Sequence, residues 1–180
     1  MKTEKQDKSH VPYTVEVLDK LRWNAHLGKH KHFEAGGRER KHHIKYGTPI
    51  IVINIVLGSV LFGLLSEDKL SNEAVANFIK WAGAALSLIA ATLGGIQTFF
   101  NFEKQCIEHR AVANEYLGIA RECERLIALY FDGLLNLDQL SSHIDRLNKV
   151  YAQVNMRAEG LTVSREDYKT ALTVQEKKKK

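Results

Sequence analysis

Two long uncharged apolar runs limit the fold of this chain more than any other feature. The first, TPIIVINIVLGSVLFGLL, covers residues 48–65, and the second, WAGAALSLIAATLGGIQTFF, covers residues 81–100. As helices they reach roughly 27 and 30 Å, close to the hydrocarbon thickness of a bilayer. The first run begins behind a long charged leader, which argues against a signal peptide. Two uncharged helices of this length are rare in a soluble chain of 180 residues, so the sequence predicts a membrane protein with two spans.

The charges beside the two runs predict the orientation. Basic residues precede the first run and follow the second: Lys29, Lys31, Arg38, Arg40, Lys41 and Lys45, and then Lys104, Arg110 and Arg121. Since basic flanks stay in the cytoplasm, we expect both termini inside the cell and a short loop outside. The basic leader should face anionic lipid headgroups of the bilayer, and we expect no nucleic acid partner.

Apolar and small residues continue at helical spacing beyond the second run. This heptad stripe consists of Phe99, Phe102, Cys106, His109, Ala113, Tyr116, Ala120, Cys123, Ile127 and Tyr130. It predicts one uninterrupted helix over residues 75–131, roughly 85 Å long, that leaves the membrane as a cytoplasmic stalk and ends at Asp132-Gly133. The two cysteines would stand about 25 Å apart on that helix, too far for a disulfide, and are interpreted as small packed residues.

A second heptad series follows and predicts a helix that folds back on the stalk. Its members are Leu137, Leu140, Ile144, Leu147, Tyr151 and Val154, with Asn136 and Gln139 as a capping pair and Gly160 as its end. The predicted class is therefore an all-α membrane protein: a two-transmembrane helical hairpin whose second span continues as a cytoplasmic stalk that packs in an antiparallel helical hairpin.

The expected order along the chain has seven segments. They are a disordered tail (1–12), a basic juxtamembrane helix (13–47), the first span (48–65), an external loop (66–74), the second span (75–102), the cytoplasmic hairpin (103–160), and a short helix with a basic tail (161–180). Thr14 should cap the first helix, Gly36-Gly37 should break it, and Pro49 should lie in the first turn of the first span. Ser71 or Asn72 should cap the second span, and Ser164 with Asp167 should start the last helix.

Small and polar residues share one face of the spans. The set comprises Asn54, Gly83, Ser87, Ala90, Gly94, Gln97 and Asn101. In lipid, small residues allow close helix approach and a lone amide seeks a partner. The face either packs helix against helix or also lines a pore. Two helices enclose no pore, so a conduit requires a homo-oligomer.

The residues that could carry chemistry are few. His109 lies on the heptad stripe, where a partner helix must cover it, and is either a neutral hydrogen-bonded histidine or a switch sensitive to pH or a ligand. His26 and His30 are four residues apart, but without Glu or Cys at matching spacing they are a weak metal signal. No phosphate-binding glycine loop or nucleophile arrangement occurs. We therefore expect no enzyme, no cofactor and no metal.

The stretch EHRAVANEYLGIAREC, together with the late EDYKTA, resembles the SLATT family of two-transmembrane effectors. The residues that carry the resemblance are His109, Arg110, Ala113, Tyr116, Leu117, Arg121, Glu122, Asp167 and Tyr168. The resemblance extends over the order of helices and spans from about residue 14 to residue 172. It implies an oligomeric effector of bacterial anti-phage, nucleotide-signalling conflict systems that breaches or depolarises the inner membrane when a separate sensor or signal-producing partner activates it. The alternative is a non-conducting membrane adaptor that recruits a cytoplasmic partner through its helical hairpin.

Overall fold

The computed structural model describes residues 11–66 and 73–177, and every regular element in that part of the chain is an α-helix. The helices are α1 (Tyr13–Ser66), α2 (Glu73–Phe100), α3 (Phe102–Phe131), α4 (Leu137–Ala158) and α5 (Arg165–Lys177). The all-α class is therefore confirmed. The proposed caps Ser71 and Asn72, nearly all of the expected disordered tail and the last three lysines lie outside the described residues.

Two stretches of helix are long and apolar enough to cross a membrane, one in α1 and one that includes α2. Their apolar side chains are largely exposed in the single chain, as Ile51, Ile55, Leu88 and Trp81 illustrate, the last at 78%. A core helix of a soluble protein buries such residues. The exposure therefore favours helices whose apolar surface faces lipid or another copy of the chain.

The chain divides into two compact units. The first, here called the bundle, is described over residues 11–36 and 107–177, and the second, the span unit, over residues 37–66 and 73–106. The core of the bundle is formed by Val15, Leu18, Leu21 and Ala25 of α1, by Val112, Tyr116, Ile119, Ala120, Cys123 and Leu126 of α3, and by Leu140, Ile144, Leu147 and Val154 of α4. Three helix faces, distant in sequence, thus share one apolar core.

The sequence-based division of the first 65 residues into two helices is wrong. α1 is continuous through Gly36-Gly37, and Pro49 lies inside it rather than in a first turn. Thr14 is not the cap either, because the Pro12 carbonyl already accepts the Val15 amide at 2.9 Å. Each glycine costs a helix about 1 kcal/mol, but burial of an apolar face outweighs such propensities. A proline removes one backbone donor, which kinks a helix without necessarily ending it.

The predicted single helix over residues 75–131 is interrupted at one residue. Asn101 separates α2 from α3 and has a φ of 47°, the left-handed conformation that asparagine tolerates better than most residues. The interruption changes the helical phase: Phe99 is 82% exposed, whereas Phe102, three residues later, is 8% exposed. The buried part of the heptad stripe therefore begins at Phe102.

The turns between α3, α4 and α5 follow the sequence closely. α3 ends just before Asp132-Gly133, where Gly133 has a φ of 73°. The capping box is confirmed, because the Gln139 amide donates to Asn136 and the Asn136 amide donates to the Gln139 side chain.

Ser164 and Asp167 form the same reciprocal pair at the start of α5, which confirms the second predicted helix start. Ion pairs then join α3 to α4. Glu115 pairs with Arg157, and Glu122 pairs with Arg146 at 3.4 Å. A later residue of α3 thus pairs with an earlier residue of α4, so the two helices run in opposite directions.

Candidate functional site at a buried histidine pair

The most unusual polar group of the bundle is a pair of buried histidines. His32 of α1 and His109 of α3 are 1% and 0% exposed, and their Nδ1 atoms lie 2.9 Å apart. At that distance one Nδ1 must donate a hydrogen and the other must accept it, so the two rings hold complementary tautomers. Two imidazolium rings would turn two N–H groups toward each other. The pair can therefore hold at most one proton more than the two N–H protons of the neutral rings.

An aromatic and amide network extends from this pair. The Tyr116 ring stacks on His32 with centroids 5.8 Å apart, and the Tyr116 hydroxyl donates to Asn155 Oδ1 of α4 at 2.5 Å. Gly28 of α1 lies directly over the same ring, and a Cβ built there would come within 2.9 Å of two ring carbons. The absence of a side chain at Gly28 thus lets α1 approach α3 closely enough to bring His32 onto His109.

The surroundings favour uncharged rings. Burial, together with smaller contributions from Lys31 and His109, lowers the pKa of His32 to about 4. Burial also raises the pKa of the Tyr116 hydroxyl to about 12. His32 is therefore uncharged at neutral pH, and acid disturbs its hydrogen bond to His109.

We predict that acid weakens the bundle. The unfolded chain protonates His32 near pH 6.5 and the folded chain only near pH 4, so the unfolded state binds more protons between these values. The stability provided by the neutral ring is present in full above pH 6.5 and falls by about 3 kcal/mol as the pH drops to 4. Thermal unfolding of the full chain in detergent at several pH values measures this. His32→Asn keeps a polar partner but cannot titrate, and an unchanged pH slope in that variant would contradict the assignment.

The structure buries most of the predicted heptad stripe. Cys106, His109, Ala113, Tyr116, Ala120 and Cys123 are buried, Ile127 and Tyr130 are partly buried, and both cysteines are free thiols. His32 of α1 is one of the side chains that cover His109. Sequence reasoning missed His32 and Gly28, because nothing local in the sequence marks a pairing of residues 77 positions apart.

The small-residue face of the spans is only partly covered. Ala90 is buried, and Gly83 and Gln97 are half-buried, whereas Asn54, Ser87 and Asn101 are exposed. Gln97 Nε2 lies 3.2 Å from His43 Nδ1 of α1, so this amide has a partner within the chain. A Cβ added at Gly94 would meet no atom within 4 Å. Asn54 and Gln97, expected to act together, thus have different surroundings.

The residues of the SLATT resemblance fall into three environments. His109, Ala113 and Tyr116 lie in the buried network or beside it, while Arg110, Arg121 and Tyr168 are exposed. Glu122 accepts two hydrogen bonds from Arg125, which lowers the pKa of its carboxyl group. Asp167 is buried and caps α5. The structure brings His109 and Tyr116 together through His32 and leaves the basic residues on the surface.

His26 and His30 line a groove rather than a metal cage. The groove has a volume of about 830 Å³ and lies between α1, α3 and α5, with Trp23, Ile127 and Gln175 among its walls. His26 Nε2 lies 3.0 Å from a Glu124 oxygen, a partner on another helix that spacing within α1 could not predict. Among residues 11–66 and 73–177, no three His, Cys, Asp or Glu side chains cluster as metal ligands.

Comparisons with protein-family models, with curated proteins and with solved structures gave no match for this chain.

Proposed function

We propose that this chain is an oligomeric two-transmembrane effector, with its bundle and both termini in the cytoplasm. Several copies associate through their spans and form a conduit that depolarises the membrane when a separate sensor or signal-producing partner acts on the bundle. The resemblance to the SLATT family on His109, Arg110, Tyr116, Arg121 and Glu122 supports an anti-phage role. The exposed apolar surface of α1 and α2 supports the membrane placement.

The observation that carries the oligomer is the position of Asn54. Its amide is exposed in the middle of an apolar stretch whose neighbours Ile51 and Ile55 are also exposed. Lipid offers no hydrogen-bond partner to such an amide, so burying it against another copy is favourable by about 1 kcal/mol. Gln97, the other amide of the predicted face, already has His43. Asn54 is therefore the amide of this face that still needs a hydrogen-bond partner, and another copy of the chain must provide it.

The uncovered small residues of α2 support close packing of those copies. A Cβ added at Gly94 would meet open space, and Ser87 is exposed about two helical turns away. Small residues allow backbones to approach, which provides the van der Waals contact that drives helix association in lipid. When the same face surrounds a central space, it offers hydroxyl and amide groups to water and ions.

The test combines particle size with leakage. The full chain, purified in mild detergent, is expected to run as an oligomer and to release a trapped dye after reconstitution into liposomes at high protein density. Asn54→Leu should shift the population toward smaller particles, whereas Ile55→Leu, an apolar exchange next to it, should not. A monomer in detergent and in bilayers would contradict the proposal. A stable oligomer that never leaks, even on expression to high level in cells, would favour the non-conducting adaptor.

A further inference from the structure

The end of α1 that enters its apolar segment has a cationic surface with few opposing charges. Arg40, Lys41 and Lys45 are exposed there, within five residues of one helix. Residues 37–66 contain one acidic residue, Glu39, which is buried and accepts two hydrogen bonds from Arg38. The three exposed cations thus lie in a part of α1 whose one carboxylate, that of Glu39, is bound to Arg38.

An aromatic cluster lies beside these cations in the same unit. Tyr46 stacks on Phe102 with ring centroids 5.5 Å apart, and Phe102 stacks on Phe100 and on His42, both at 5.4 Å. Lys45 Nζ lies 5.8 Å from the centre of the Tyr46 ring. Tyrosine concentrates at the level of lipid headgroups, because one end of its ring is apolar and its hydroxyl meets water.

The order of exposed side chains along α1 also fits a position at the level of the lipid headgroups. The cations come first, with Ile44 among them at 51% exposure, and the next exposed large apolar residue is Ile51. On α3, Glu103 and Lys104 are both exposed and offset each other in formal charge. The net positive charge of this level therefore comes from α1.

We propose that Arg40, Lys41 and Lys45 form a binding surface for the phosphate groups of anionic phospholipids, with Tyr46 fixing its depth. The proposal rests on the membrane placement in the proposed function and adds a lipid class to it. Arginine and lysine donate charge-assisted hydrogen bonds to phosphate oxygens. A cation close to an anionic bilayer surface strengthens binding about fivefold, so three cations give a preference that a zwitterionic headgroup does not receive.

Native mass spectrometry of the full chain tests this surface without any leakage assay. The protein in detergent is incubated with equal amounts of phosphatidylglycerol and phosphatidylcholine, and the lipids retained on it are counted. We expect a preference for phosphatidylglycerol of about tenfold or more, reduced by added salt. Inorganic phosphate in place of lipid should leave no retained adduct, because it lacks the acyl chains that pack against the apolar segment.

Two triple variants each remove three positive charges, one from the proposed lipid-binding surface and one from the bundle. Arg40→Gln, Lys41→Gln and Lys45→Gln together should abolish the preference, while Lys20→Gln, Lys149→Gln and Lys169→Gln, all exposed in the bundle, should preserve it. Both triple variants should unfold at the same temperature as the parent. No preference in the parent, or equal retention by the two variants, would overturn the proposal. Lipid preference without leakage would keep this surface and reject the conduit, and leakage without lipid preference would do the reverse.

Discussion

Replacing Gly28 by alanine should lower the stability of the bundle by about 2 kcal/mol, near the middle of the range for overpacked cores. The new Cβ would lie 2.9 Å from Cγ and Cδ1 of Tyr116 and 3.0 Å from Cδ2. The ring has no room to retreat, because Tyr116 is 1% exposed and its hydroxyl is bound to Asn155. Alanine is a better helix former than glycine by about 1 kcal/mol, and this gain is already included in the expected loss.

Gly118→Ala is the matched control, since Gly118 also lies inside a helix of the bundle. A Cβ there meets nothing within 4 Å, so only the helix propensity changes, and a gain of about 0.5–1 kcal/mol is expected. The midpoints of thermal unfolding of both variants in detergent should move in opposite directions. A Gly28 variant as stable as the parent would mean that α1 does not approach Tyr116 this closely.

Leucine at Gly94 should strongly reduce dye leakage and the toxicity of the expressed chain. Within one chain the Cβ of the new side chain meets open space, so we expect α1 and α2 to pack as before. Its effect must therefore arise from other copies or from the conduit itself. If the face packs between copies, the leucine separates them and particles become smaller. If the face lines the conduit, the leucine blocks permeation and the particle size stays the same.

The control for Gly94→Leu is Ile89→Leu on the same helix. Ile89 is 49% exposed, and the exchange conserves volume and hydrophobicity, so neither leakage nor particle size should change. Particle size is measured in detergent and leakage in liposomes from the same preparation. A Gly94 variant with the leakage and the size of the parent would place this face against lipid and remove the main support for the conduit.

Features that depend on a few neighbouring residues were predictable. Asn136 and Gln139 satisfy each other's backbone and side chain within one turn, as do Ser164 and Asp167, so the starts of α4 and α5 could be read directly from the sequence. The 3.6-residue period found the buried face of α3 from Cys106 to Cys123 for the same reason. The two apolar segments were evident from length and composition alone.

Features that depend on distant contacts were not predictable. Gly36-Gly37 reads as a helix break, yet α1 continues because packing of whole helices outweighs local propensity. The left-handed conformation of Asn101 is one of several that asparagine adopts, and no pattern in the sequence selects it. His32 has no periodic or spacing signal that identifies it as the partner of His109. The sequence therefore predicted half of the candidate site. It placed His109 on a covered face of its helix, but it did not identify the group that covers it.

Because Cys123 is buried, its rate of alkylation can measure how often the core of the bundle opens. Its thiol is 0% exposed, and burial raises its pKa to about 12, so almost no reactive thiolate is present while the core is closed. Alkylating reagents attack the thiolate, and their rate at Cys123 therefore follows the fraction of time that the surrounding helices separate. In living cells, that rate would report whether an activating signal opens the core or leaves it closed, with no need to engineer a label.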